Sequence, residues 1–403
     1  MMKNAVLFGL AAAAGSQALA PLHMTEKAIP GQYVVVLKKG VDASKHMKAI
    51  NDVMIFDSPA NELRHQYNIG SFQGYALQCT QKVVQAIRES EAVEAIYEDG
   101  MATINGVQNN PPSWGLDRVS QRNLPLDQAY HYPDHAGAGV SMYTLDTGIY
   151  IQHNDFEGRA QWGANFSPGS GDDDRNGHGT HCSGTMAGAA YGIAKKASLY
   201  AVKVLGDGGS GAWSDVIAGV DWVAGQAGDK TVGNMSLGGG AYPALDTAVD
   251  AAVDAGVHMA VAAGNNNGDA CNYSPARASK AVCVGSTNNS DGKSYFSNWG
   301  SCVEIHAPGE AIVSTYIGSP TATATLSGTS MASPHVAGVM ALYLGSGKVP
   351  SAANLQSAST KDVISGLPSG TVNYLLYSDA STDQVHHQKE KQEPAGVHFS
   401  LLK

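Results

Sequence analysis

From about Trp114 onward, short apolar runs alternate with longer apolar or amphipathic stretches. Val140–Leu145, Leu199–Leu205, Asn234–Leu237, Val257–Ala263 and Ala281–Gly285 read as strands. Thr180–Ala187, Trp213–Gln226, Tyr242–Ala255 and Met331–Leu344 read as helices. Short strands apolar throughout, alternating with helices, predict an α/β fold: a parallel sheet with helices on both faces. Met331–Leu344 is apolar on nearly every side, which predicts a core helix. Ligands of such sheets bind beyond the carboxyl ends of strands. Asp146 and Asn265 follow two of the predicted strands, which places both on one rim.

The pattern before Trp114 is different. Gln32–Leu37, Gly74–Cys79 and Val93–Tyr97 read as strands, and Val41–Phe56 and Val83–Ser90 as helices, which predicts a small α+β open-faced sandwich. Met101–Ser113, with two prolines, a glycine and two asparagines, is predicted to be an exposed linker. Met1–Ala20 has a basic start, an apolar stretch and the small-residue site Ala18-Leu19-Ala20, the marks of a secretory signal. After Tyr377 the chain turns polar and reads as a solvated tail; His386 and His387 lack further ligands spaced for a metal. The expected division is 1–20, 21–106, 107–377 and 378–403.

Composition narrows this. The 403 residues suffice for more than one domain. A formal net charge of -10 argues against nucleic-acid binding, which calls for a basic face. Once the N-terminal stretch is removed, no run is long enough to span a membrane. A secreted, extracellular monomer is expected. Secretion permits disulfides, and five cysteines (Cys79, Cys182, Cys271, Cys283, Cys302) leave at least one unpaired within a single chain.

The candidate chemistry lies in three glycine-rich turns and one helix start. Ser330, after Gly328, sits where a helix cap would sit, with Pro334 among the first helical positions. Taken alone it is an ordinary cap. At a helix mouth its hydroxyl also lies beside free N–H groups that could hold an oxyanion. Asp146 in Asp146-Thr147-Gly148 ends a strand; aspartic proteases use such a triplet twice, and this chain has it once. In Asn176-Gly177-His178-Gly179-Thr180-His181-Cys182, glycines flank a candidate general base, His178. Zinc binding by His178, His181 and Cys182 is a competing idea short of ligands. Asn265 offers an amide that, with the Ser330 N–H, could form an oxyanion hole; it could equally belong to an Asn-rich turn. Asp172-Asp173-Asp174 reads as a solvated loop.

The order Asp, His, Ser is that of one known hydrolytic triad. With Asn234-Met235-Ser236-Leu237-Gly238-Gly239-Gly240 and Ala262-Ala263-Gly264-Asn265, these segments resemble the subtilase superfamily of serine peptidases over Trp114–Leu376, most nearly the proteinase K and aqualysin branch. The resemblance implies a subtilisin-like fold and an endopeptidase with Asp146, His178 and Ser330 as triad and no cofactor for catalysis. It implies peptide or protein substrates held as a strand between Gly209-Ser210-Gly211 and Ser236-Leu237-Gly238. Trp213 would stand at a far apolar subsite, and residues before the cut would be apolar or aromatic. Residues 29 to about 104 resemble the inhibitory propeptide, the chain's own inhibitor, cut autocatalytically near Asn105–Val107. A disulfide between Cys271 and Cys302 is implied, with Cys182 and Cys283 as buried thiols and Cys79 leaving with the propeptide. Structural calcium at Asp117, Gln121 and Asp127 is implied too, although Ser120 stands where relatives carry an acid and Glu304 replaces Asp at another site.

Overall fold

The computed structural model describes residues 19–25, 28–100 and 105–378, and its contacts part into two units, Met1–Ala102 and Thr103–Lys403. Most of the predicted signal and the polar tail lie outside the described residues. Ala20 is described: it is buried, its N–H donates to Arg88 O at 2.9 Å, and its carbonyl accepts from Arg88 Nε at 3.0 Å.

The first unit is a five-stranded sheet in the order Leu22–His23, Val93–Gly100, Ala28–Leu37, Phe72–Gln78, Glu62–Ile69. Alternation along one strand buries Tyr33, Val35 and Leu37 against Ile50 and Met54 of the Ala43–Asp57 helix and Val83 and Ile87 of Gln81–Arg88. Asp42 caps the first helix by accepting from Lys45 N at 3.1 Å. Glu62–Ile69, absent from the sequence reading, is an edge strand mostly exposed, so it needs few apolar residues.

The second unit is built on a nine-stranded sheet. Seven longer strands run parallel in the order Ile305–Pro308, Val282–Thr287, Val257–Ala262, Thr231–Met235, Ser141–Asp146, Ser198–Lys203, Ala160–Asn165. Tyr374–Leu375 and Thr360–Lys361 close one edge. Successive residues serve opposite faces. Met142, Ala260 and Val284 pack in one core, under the Thr329–Gly345 helix. Leu145, Val261 and Cys283 pack in the other, under Trp213–Gly225 and Pro243–Asp254. Each fully buried Val, Leu or Met stabilises the fold by roughly 1.5–3 kcal/mol, and Met331–Leu344 is buried throughout. The expected linker is ordered in part. Asn105–Asn109 is a strand paired antiparallel with Ala129–Pro133, and Ser113 is buried.

Ser141–Asp146 is the first of these seven strands in the chain. The chain then fills one side with Ala160–Asn165 and Ser198–Lys203 before crossing to Thr231–Met235 on the other. The order therefore reverses beside Asp146, and a crevice opens at the strand ends.

Candidate active site

Asp146 ends its strand with no exposed surface. His178 opens the His178–Ala187 helix behind Gly177, whose φ of 95° favours glycine; a Cβ there would also lie 2.5 Å from the Tyr316 ring. A Cβ on Gly179 would lie 2.2 Å from Gly148 O, so this glycine lets the helix press against the Asp146 turn. His178 Nδ1 meets Asp146 Oδ1 at 2.8 Å and Oδ2 at 3.0 Å. A carboxylate only accepts, so Nδ1 carries the hydrogen, and in the neutral ring, the form that can act as base, Nε2 keeps a free lone pair. Burial is the largest single influence and disfavours the imidazolium of His178, but the Asp146 carboxylate and, after it, the Cys182 sulfur together outweigh it and hold the pKa well above the ordinary histidine value.

Asp174 corrects the sequence reading of 172–174 as a solvated loop. It is 6% exposed. Oδ1 accepts from Thr147 Oγ1 at 2.9 Å, Asn176 N at 3.1 Å and Gly177 N at 2.8 Å. Oδ2 accepts from Thr180 N at 2.9 Å and Thr180 Oγ1 at 2.6 Å. One carboxylate thus caps the histidine helix and ties it to the residue after Asp146. The Asp-x-x-Gly spacing before His178 is the available signal.

Ser330 is not the helix cap. The helix is Thr329–Gly345 with Gly328 at its N-cap, so Ser330 is the second helical residue and Pro334 the sixth. Its N–H still has no intrahelical acceptor. Its hydroxyl donates to Ser236 O at 3.1 Å. Asn265 Oδ1 accepts from Thr329 N at 2.8 Å and Thr329 Oγ1 at 3.0 Å. This fixes the amide's orientation and leaves Nδ2 for the crevice. Asn298, which the sequence reading does not single out, braces this loop: Nδ2 donates to Ala263 O at 2.8 Å, and Oδ1 accepts from Asn266 N at 3.0 Å and Gly268 N at 2.9 Å.

His178, Asn265 and Ser330 line one cleft of about 760 Å³. Gly209, Ser210 and Gly211 form one flank and Ser236, Leu237 and Gly238 the other. Trp213 lines it as well, with its ring stacked on Tyr242 at 5.6 Å. Gly239–Gly240 pairs with Tyr273–Ser274, close to a disulfide joining Cys271 and Cys302. Cys79, Cys182 and Cys283 are buried free thiols.

The zinc alternative is not assembled: His181 Nε2 donates to Ile312 O and Ala324 O, and among the described residues His181 is not part of the group of ligand-type atoms that lie close together. Asp146, His178 and Cys182 do bring three ligand-type atoms within 4.8 Å of one another. Yet Nδ1 is spent on Asp146, while burial keeps the Cys182 thiol protonated and donating to Ser330 O at 3.3 Å.

Elsewhere, Asp117 Oδ2 accepts from Gln128 N at 2.7 Å, and buried Oδ1 has no partner. Burial raises the Asp117 pKa, and the neighbouring Asp127 adds to the rise. Gln121 Oε1 accepts from Asp127 N at 3.1 Å. An unpartnered carboxylate oxygen beside a second carboxylate fits a hard cation.

The subtilase family model matches residues 137–380, and a peptidase inhibitor I9 model matches 32–105. The chain is 43% identical to subtilisin-like serine protease Pen ch 18 of Penicillium rubens, over 88% of this chain and 82% of that one. It is 43% identical to cerevisin of Saccharomyces cerevisiae, over 91% of this chain and 67% of that one. Among solved structures it is similar to a cold adapted subtilisin-like serine proteinase, with 50% identity and a TM-score of 0.63, covering 66% of this chain and 97% of that one.

Proposed function

From the premise that the chain belongs to the subtilase family and is a subtilisin-like serine endopeptidase with an inhibitor-type propeptide unit, we propose that Asp146, His178 and Ser330 cut peptide bonds through an acyl-enzyme. The observation that carries this is the Asp146–His178 pair at 2.8 Å, beside a cleft that Ser330 also lines. Rotation about its Cα–Cβ bond takes the Ser330 hydroxyl from Ser236 O to His178 Nε2. His178 removes the proton as Oγ attacks the substrate carbonyl. The oxyanion is held by Ser330 N–H and Asn265 Nδ2. His178 then protonates the departing amine, and water releases the acyl group by the same route.

Substrate lies extended between Gly209-Ser210-Gly211 and Ser236-Leu237-Gly238, whose glycines let its backbone come close. Ala262, Ala263 and Ala276 line the cleft, and these small apolar walls suit an apolar or aromatic side chain before the cut. Trp213 serves a more distant apolar residue. The Cys271–Cys302 pair favours the proteinase K and aqualysin branch.

The propeptide is severed near Asn105–Val107 by the chain itself; the I9 match ends at residue 105, and the contact units part between 102 and 103. Met1–Ala20 directs the protein out of the cell. No helix among the described residues is long and apolar enough to cross a membrane. Calcium, where bound, would be held by Asp117, Asp127 and the Gln121 side chain, and would supply a structural cross-link.

A fluorophosphonate probe tests the reading. It should modify Ser330 in the processed protein, and Ser330→Ala should be neither labelled nor cut near Asn105–Val107. Peptide hydrolysis retained by Ser330→Ala overturns it.

A further inference from the structure

We propose that Ser236 is a positioning residue for the reacting serine, acting through its side chain, and that Pro334 makes its hydroxyl necessary. The inference rests on the reading of Ser330 as nucleophile. In a helix the N–H of residue 334 would donate to the carbonyl of residue 330, and proline has no N–H. Pro334 lies inside the helix, so Ser330 O must be satisfied from elsewhere. It accepts from Ser236 Oγ at 2.8 Å and Cys182 Sγ at 3.3 Å. A thiol is a weak donor, so the hydroxyl carries most of this task.

Ser236 is itself held. It is 3% exposed, and Asn234 Nδ2 donates to its oxygen at 2.9 Å. Asn234 Oδ1 in turn accepts from Ser333 Oγ at 2.7 Å. The hydrogen bonds form a loop that leaves the helix at Ser333, crosses the end of the central strand and returns at Ser330. The Ser330 hydroxyl also donates to the Ser236 carbonyl at 3.1 Å, so each serine side chain holds the other's backbone. The first helical turn, which carries both Ser330 Oγ and its N–H, is therefore set by Ser236 rather than by the helix's own ladder.

The test uses the self-processing full-length chain and four variants: Ser236→Ala, Ser236→Thr, Pro334→Ala and Ser236→Ala with Pro334→Ala. The readouts are the fluorophosphonate labelling rate, kcat and KM on a peptide anilide, and Tm. Because a misplacement of ~1 Å costs about 10²-fold in rate, Ser236→Ala should lower kcat and labelling by about 30- to 100-fold with KM nearly unchanged. Threonine, which keeps the donor, should restore most of the rate. The double variant should recover about tenfold over Ser236→Ala, because alanine in place of the proline returns an N–H to the Ser330 carbonyl. Should Ser236→Ala fail to accumulate folded, recovery of labelled protein in the double variant supports the proposal, and its absence counts against it. An unchanged kcat in Ser236→Ala, a loss confined to KM, or a folded double variant no faster than Ser236→Ala overturns the proposal. A label found on a residue other than Ser330 in the unmodified protein overturns the nucleophile reading and the inference with it.

Discussion

Lowering the pH from about 6.5 to about 4.5 is expected to weaken the second unit by ~4 kcal/mol. His181, His306 and His335 have no exposed surface, and burial pushes the pKa of each down to about 4. The cause is plain at His335. Nδ1–H donates to Met331 O at 2.8 Å, while Nε2 has no partner and faces Gly115, where a Cβ would lie 2.3 Å away. A second proton would place an unpaired N–H and a charge in the core. The unfolded chain protonates these rings near pH 6.5, roughly the free histidine value, so it takes up protons that the fold refuses and stability falls as pH falls. Glu304 opposes this: burial lifts its pKa to about 7, so the fold takes up its proton first. Asp117 and Asp246, also raised by burial, act on the same side as Glu304. His178, whose raised pKa means the fold already holds its proton when the unfolded ring is still taking it up, acts weakly on the same side as Glu304. About one to two net protons remain for the unfolded chain, or ~2 kcal/mol per pH unit.

The assay is guanidinium unfolding of the full-length Ser330→Ala chain, which should not digest itself. All five tryptophans (Trp114, Trp162, Trp213, Trp222, Trp299) lie in the second unit, so their fluorescence reports it alone. With a slope of about 5 kcal/mol per molar for a domain of this size, the midpoint should fall by about 0.8 M. A midpoint that holds or rises across these two pH units would refute the claim that the fold keeps these rings neutral.

Other outcomes follow from the same geometry. Asn265→Ala should cut kcat by about 10²–10³ with little change in KM, measured on a peptide anilide. Asp174→Ala strips five donors of their acceptor and should cost about 2–4 kcal/mol in unfolding free energy, by the same guanidinium assay, along with much of kcat. If calcium sits at Asp117, a chelator should lower the Tm of the unmodified protein by several degrees, and Asp117→Asn should remove that sensitivity in a melting curve.

Strand ends and glycine-flanked turns are legible because their chemistry is local. Asp146, His178, Asn265 and Ser330 each carry a short motif, and the apolar runs put them on one rim. Edge strands are not legible. Glu62–Ile69 and Ala160–Asn165 border their sheets and owe their conformation to a neighbour's hydrogen bonds more than to their own side chains. Asp174 misleads because three successive acids suggest a solvated loop, and only folding surrounds the third with donors. The cap expected at Ser330 lies two residues earlier, because Gly328 holds an extended backbone at the cap position and the helix begins at Thr329. Asn298 gives no signal: it lies 33 positions after Asn265, and only the tertiary fold brings it beneath that loop.

The proposed triad, Asn265 and the positioning Ser236 stand at residues 146, 178, 236, 265 and 330, far apart in the sequence and brought to one end of the sheet by strands that pair out of chain order. Pairings between such distant stretches make high contact order, which slows folding because each closure costs entropy before it is rewarded. On the proposed mechanism a half-assembled chain would therefore lack cutting power, and a nascent molecule would not attack its neighbours on the way to its final form. The leading unit, small and with a core of its own, can close early while the slower unit is still gathering its strands.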